Sequence, residues 1–209
     1  MHPPNAPAAN ATNRSLWLPL LLVGLALLLR AVKSTEAGAD WLPNFSPWMA
    51  LVFAGTLLFP RKWSGWWVLA LLLAVDGVLQ GQVLLAYPLT MAVVYGCLAL
   101  AAGAAVRLRG QLGGVGMLTG VLVCSLGFYL VTNTLSWLLM PEYAKSVGGW
   151  LQALTVGLPG LPPTWTFLRN SLLSDLGFSA LLILAHNAEA TVKALPRLGW
   201  GRSAMRVGA

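Results

Sequence analysis

Apolar residues dominate six stretches of this chain, at about residues 16–32, 48–59, 63–80, 87–106, 115–139 and 166–187. Most of these runs are near the roughly 20 residues that a helix needs to cross a ~30 Å hydrocarbon core. They predict an all-α polytopic membrane protein, a six-helix transmembrane bundle with a short second helix. That second run is enclosed by Pro47 and Pro60. At 1.5 Å per residue it reaches roughly 18 Å, too little to span alone. Ser46-Pro47 reads as an N-cap residue followed by proline at the first helical position. A helix that begins so abruptly below the interface draws the Trp41–Pro47 loop inward, over the mouth of the bundle. Irregular backbone at that depth is tolerated only where it is buried in protein or lines a cavity. Free N–H groups at such a start favour an anion or a ligand oxygen. Residues 140–165 are mixed in character, and a short interfacial helix is expected near 145–157.

The polar residues that interrupt these runs carry the functional signal. Only six residues of the chain are acidic, yet Asp76 and Asp175 both fall inside apolar runs. An ionisable group in hydrocarbon costs a few kcal/mol or more, so it turns inward and takes a partner. Tyr129, Asn133 and Trp137 share one helix face at i, i+4 and i+8, and Ser171, Ser174 and Asp175 share another. Asn44 and Ser46 precede the short helix, Gln80 and Gln82 follow Asp76, and Arg169 and Asn170 open the last run. These polar positions crowd toward one end of the spans, while the other halves are nearly pure Leu, Val, Ala and Gly. A hydrogen bond from Arg169 or Asn170 to Asp76 or Asp175 is expected, because an unpartnered carboxylate at that depth would be protonated.

Composition agrees with the pattern. The chain is 57% hydrophobic and 9% charged, with a mean hydropathy of +0.73, which excludes an ordinary soluble domain of 209 residues. The net charge of +7 is not a nucleic-acid signal, since the basic residues sit between apolar runs and in the tail. Arg14, Arg61, Lys62, Arg107, Arg109 and the tail fall on one side of the predicted spans. Lys33, Lys145, Glu36, Asp40 and Glu142 fall on the other. The positive-inside rule then places both termini in the cytoplasm. Trp41, Trp48, Tyr87, Trp137, Tyr143, Trp150 and Trp165 are expected as the outer aromatic belt, and Trp17, Trp63, Trp66 and Trp67 as the inner one. The organisation reads as a disordered N-terminus (1–14), one transmembrane domain (15–190) and a basic cytoplasmic tail (191–209). Ala37-Gly38-Ala39 resembles a signal cleavage site. Arg30 and Lys33 separate it from the apolar run, which favours an uncleaved first helix.

Candidate chemistry is sparse. Cys97 and Cys124 lie within apolar runs as small buried residues, with no spacing that suits a metal. His2 and His186 are the only histidines, and neither is near the polar cluster, so no nucleophile–base pair is evident. No cofactor is implied. An Asp-pair hydrolase using Asp76 and Asp175 and a ligand-free membrane scaffold both stand beside the leading reading, a solute-binding or transport protein.

Several segments also resemble a known family. These are Asn44-Phe-Ser-Pro47 with Ala50-Leu-Val-Phe-Ala-Gly55, Phe128-Tyr-Leu-Val-Thr-Asn133 with Trp137 and Tyr143, and Phe167-Leu-Arg169-Asn170-Ser-Leu-Leu-Ser-Asp175. Over about 40–185 the chain resembles a family of uncharacterised bacterial integral membrane proteins. That family is itself similar to the substrate-binding S components of energy-coupling-factor transporters. The resemblance implies a bacterial inner-membrane protein with a ligand pocket in the outer half of the bundle, closed by the loop after the first helix. It implies that Asn44, Asp76, Asn133, Trp137, Arg169, Asn170 and Asp175 line or brace that pocket. A small polar solute and a transport-partner subunit are the implied partners. The Ala-x-x-x-Ala docking face of S components is not evident in the first helix, which reads Leu-Val-Gly24-Leu-Ala26-Leu-Leu-Leu-Arg30.

Overall fold

The computed structural model describes residues 17–33, 44–59 and 65–201. They form helices, and no strand occurs among them. In chain order the helices are α1 (Trp17–Lys33), α2 (Ala50–Ala54, continuing as Gly55–Leu58), α3 (Gly65–Ala86), α4 (Pro88–Leu108), α5 (Gly114–Leu139), α6 (Val147–Leu154) and α7 (Thr164–Val192). The all-α expectation holds. Helices α4, α5 and α7 are long and apolar enough to cross a membrane, and shorter apolar stretches lie at Leu20–Leu29 and Trp66–Leu79. Leu100, Val123 and Leu184 are among many large apolar side chains left exposed on these helices. That exterior suits lipid rather than water. The expected interfacial helix corresponds to α6, whose N-cap Ser146 accepts a hydrogen bond from Gly149 N. Expectations placed on Arg14, the Ala37–Ala39 site, Glu36, Asp40, Trp41, Arg61, Lys62 and Trp63 lie outside the described residues.

The centre of the bundle is α2. Every residue from Met49 to Thr56 is buried, and the helix touches α3, α4, α5 and α7. Apolar residues on all sides, as in Met49-Ala-Leu-Val-Phe-Ala54, are what a fully enclosed helix requires. Its geometry departs from the simple helix that the sequence predicts. Residues Ala50–Ala54 take the wider π form, and Gly55 N bonds back to Ala50 O. Phe53 projects from this widened segment into a notch at Gly120 of α5, where a Cβ would lie 2.4 Å from the ring.

Tyr87 alone joins α3 to α4, and Pro88 occupies the first turn of α4, where its missing N–H costs nothing. α3 and α4 therefore form a tight hairpin. The expected third span of 63–80 is extended to Ala86, carrying Gln82 into the helix.

The chain beyond α7 is pinned against the bundle. Asn187 clasps Leu198 in both directions, Nδ2 to the carbonyl at 3.2 Å and Oδ1 from the amide at 2.8 Å. Gly199 O and Trp200 O then accept from Gly114 N (2.8 Å) and Val115 N (3.1 Å). Two orphan donors of the α5 N-terminus are satisfied by the tail. The approach is so close that a Cβ on Gly113 would lie 1.6 Å from Gly201 O.

Candidate functional site

Because α2 is short, it leaves part of the bundle's centre unfilled. From Met49 to Phe59 it rises roughly 15 Å, about half of a ~30 Å hydrocarbon core. Beyond its N-terminus lies a cavity of about 290 Å³, lined from α3, α4, α5, α7 and the Asn44–Met49 segment. At its floor, Asp175 of α7 closes the N-terminus of α2. Its Oδ1 accepts from Met49 N (3.1 Å) and Ala50 N (3.2 Å), and its Oδ2 from Ser125 Oγ (2.7 Å). A carboxylate at this position satisfies two buried N–H groups and opposes the positive end of the helix dipole. Asp175 thus takes the capping role that the sequence assigns to Ser46. The anion site expected at this helix start is filled from within the protein, by a stronger, charged acceptor.

The second carboxylate stands on the wall. Asp76 of α3 accepts from Tyr95 Oη of α4 at 2.9 Å, across the hairpin. On α5, Asn133 donates Nδ2 to Tyr129 O of its own helix at 2.8 Å, and Tyr129 donates its hydroxyl to Leu154 O at 2.5 Å. Among the described residues the Asn133 side-chain oxygen has no hydrogen-bond partner beside the cavity. Asn44 holds a left-handed backbone, φ 58°, a conformation that asparagine tolerates better than most residues. Its carbonyl accepts from Ser171 Oγ at 3.2 Å, tying this segment to α7. The described part of the expected loop, Asn44–Pro47, therefore borders the cavity.

Four of the seven sequence-selected residues, Asn44, Asp76, Asn133 and Asp175, line this cavity together. The other three do not. Arg169 forms no bond to either carboxylate. Its guanidinium lies 5.3 Å from the Trp165 ring centroid, and its Nε donates to Asn170 Oδ1 at 3.2 Å. Stacking on an aromatic ring at a helix start suits an exposed guanidinium better than entry into an apolar core. Asn170 is buried beside it. Trp137 donates Nε1 to Ala144 O at 2.8 Å, and Lys145 caps the carbonyls of Trp137 and Met140, so Trp137 braces the turn after α5. The belt assignment also changes at two residues. Trp48 lines the cavity, and Tyr143 is buried.

Sequence reasoning passed over Tyr95, Ser125 and Thr132, all of which line the cavity. Ser125 extends the Tyr129–Asn133 face by one turn, at i−4. Tyr95 faces Asp76 across the Tyr87 turn, as the register of a tight hairpin dictates.

The opposite end of α2 is closed by a cation. Arg109, just after α4, donates to Phe59 O at 2.8 Å and to Thr56 O. Arg107 lies in the last turn of α4, and Lys193 and Arg197 follow the end of α7 on that side. Among the described residues no group of three His, Cys, Asp or Glu side chains could hold a metal ion.

An all-helical bundle with membrane-length apolar helices and a polar cavity above a half-length central helix defines the structural class. The chain belongs to the family of unknown function DUF6580, whose sequence model matches residues 10–196. No curated protein and no solved structure matches the chain.

Proposed function

We propose that this protein is a membrane-embedded solute-binding component that takes a small polar molecule from the outer face into the cavity above α2. The observation that carries this reading is the cavity itself. Polar groups from four helices and the Asn44 segment converge on about 290 Å³, close to the lower end of small-molecule sites. Some of their bonding capacity, the Asn133 side-chain oxygen among it, is not used among the described residues. The arrangement of charge supports an outward-facing cavity. Arg107, Arg109, Lys193 and Arg197 gather at the end away from it, which the positive-inside rule assigns to the cytoplasm. On this reading the chain is a six-span protein of a bacterial inner membrane with both termini inside.

The end of the bundle away from the cavity offers few polar steps, so the bundle binds rather than conducts. Transport then needs a partner subunit or movement of the whole bundle. The Asp-pair hydrolase is disfavoured because both oxygens of Asp175 are engaged in holding α2 and Ser125.

The test is native mass spectrometry of the protein purified from its own membranes. A small molecule should be retained by the wild type and lost from Asn133→Leu. Leucine is at home in lipid, and only a bond within α5 is given up, so the fold should survive. Full retention by Asn133→Leu and by Asp76→Asn would move the site elsewhere. Absence of any retained molecule would favour a scaffold.

A further inference from the structure

We infer that the solute is an uncharged planar molecule whose conjugated nitrogens carry several N–H groups, and that these donate to a stripe of oxygens along α5. This rests on the binding reading above and names its ligand class. The cavity lining is rich in oxygen, as hydroxyls, side-chain amides and carboxylates. Most of the hydroxyl hydrogens are already given away. Thr132 donates to Phe128 O at 2.8 Å, Tyr129 to Leu154 O at 2.5 Å and Ser171 to Asn44 O at 3.2 Å. A backbone carbonyl has no hydrogen, so in each of these pairs the hydroxyl is the donor. Ser125 and Tyr95 donate to the carboxylates of Asp175 and Asp76. Asn133 spends an N–H on Tyr129 O. What the wall keeps is lone pairs. Ser125, Tyr129, Thr132 and Asn133 lie at i, i+4, i+7 and i+8, on one face of α5 about 12 Å long. All four line the cavity.

A wall of acceptors selects a solute of donors. Each hydroxyl of a polyol brings lone pairs of its own, for which this wall has few hydrogens left. An amide-like or ring-attached amino group brings two donors and no acceptor on its nitrogen. Such groups are planar, and Trp48, Tyr95, Phe128 and Tyr129 supply the cavity with rings that planar groups stack on. The side-chain donors still on offer sit chiefly on Asn44, Ser46 and Trp48, in the segment that enters α2. A ring nitrogen or carbonyl of the solute therefore turns to that side. The carboxylates are engaged within the protein, Asp76 with Tyr95 and Asp175 with α2 and Ser125. The solute need bring no charge to satisfy them. The volume of about 290 Å³ is on the order of ten water molecules, room for a small ring system.

Two measurements on the intact protein test this. The first, in lipid nanodiscs, titrates adenine, purine (which lacks the amino group) and myo-inositol, read by calorimetry and melting temperature. The second identifies by mass spectrometry and elemental analysis whatever is released on denaturing protein from its own membranes. Adenine should bind at least about tenfold more tightly than purine or myo-inositol, or the released molecule should be uncharged and carry several conjugated N–H groups. Thr132→Val removes one acceptor at nearly constant shape and should weaken that binding about fivefold. The Thr132 hydroxyl bonds only within α5, so the variant should fold, and an unchanged melting temperature of the ligand-free protein checks this. Preference for purine or myo-inositol overturns the N–H-rich class and leaves the binding reading intact. Release of a polyol, an organic ion or a metal ion does the same. No response to any probe together with nothing released overturns both.

Discussion

Asp175 and Arg109 close opposite ends of the same short helix. The Asp175 carboxylate receives the N–H groups of Met49 and Ala50, and the Arg109 guanidinium reaches the carbonyls of Phe59 and Thr56. Each charge opposes the dipole end that it meets. In water a helix end finds solvent; in the middle of a bundle it must be closed by the protein. These two side chains are what allow a helix of half the membrane's thickness to stay buried, and so allow the cavity beyond it.

Removing the Asp175 carboxylate should destabilise the fold more than it changes any surface property. Asp175→Leu leaves two buried N–H groups and Ser125 without an acceptor, a loss of about 3 kcal/mol or more. Asp175→Asn keeps one acceptor oxygen and should fall between. Thermal unfolding in detergent checks the order. A leucine variant as stable as the wild type would mean that Asp175 is not the cap of α2.

At the other end, Arg109→Met should cost about 1–3 kcal/mol, since two carbonyls lose a charged donor. Arg109→Lys should recover only part of that, because an ammonium lacks the planar fork that reaches both carbonyls. The same melting experiment separates the three proteins.

Gly120 is the seat of the Phe53 ring. Gly120→Val should cost about 1–3 kcal/mol by overpacking. Adding Phe53→Leu should return part of the loss, which a double-mutant cycle would read as coupling between the two positions. Additive losses would show that the ring is not what the glycine accommodates.

Orientation is open to chemical labelling. With Cys97 and Cys124 replaced by alanine, a single cysteine at Ser146 should react with an impermeant reagent on intact cells. One at Gly110 should react only after the cells are opened. The reverse result would invert the bundle and place the cavity on the cytoplasmic side.

Ending the chain after Leu195 should uncover the N–H groups of Gly114 and Val115 and destabilise the start of α5. The expected loss is about 1 kcal/mol for each orphaned group. Hydrogen exchange at these two amides should rise in the truncated protein, with the amides at mid-α5 unchanged.

Much of this arrangement is legible in the residues. The apolar runs mark the helices to within a few positions. Pro47 and Pro60 mark the short one, and the rarity of Asp76 and Asp175 among apolar neighbours marks the interior. What escapes detection is pairing. Ser125 and Tyr95 are unremarkable in a long helix, where a hydroxyl can turn to its own backbone or face the interface. Their partners become visible only once helices are set side by side. Arg169 and Trp137 lie outside the cavity lining for a related reason. A helix face names the direction of a side chain but not the depth at which it meets its neighbours, and both residues find partners in nearby turns. The π geometry of Ala50–Ala54 has no counterpart in composition at all.

The capping of α2 also has a consequence for how the protein is made. This helix leaves the ribosome before Arg109 and long before Asp175. Until those residues arrive, its ends have no protein partners and its length cannot bridge the bilayer. It therefore has no stable place in the membrane while the chain is still growing. The late arrival of α7 completes its berth, so that a segment synthesised near the beginning is among the last to be seated.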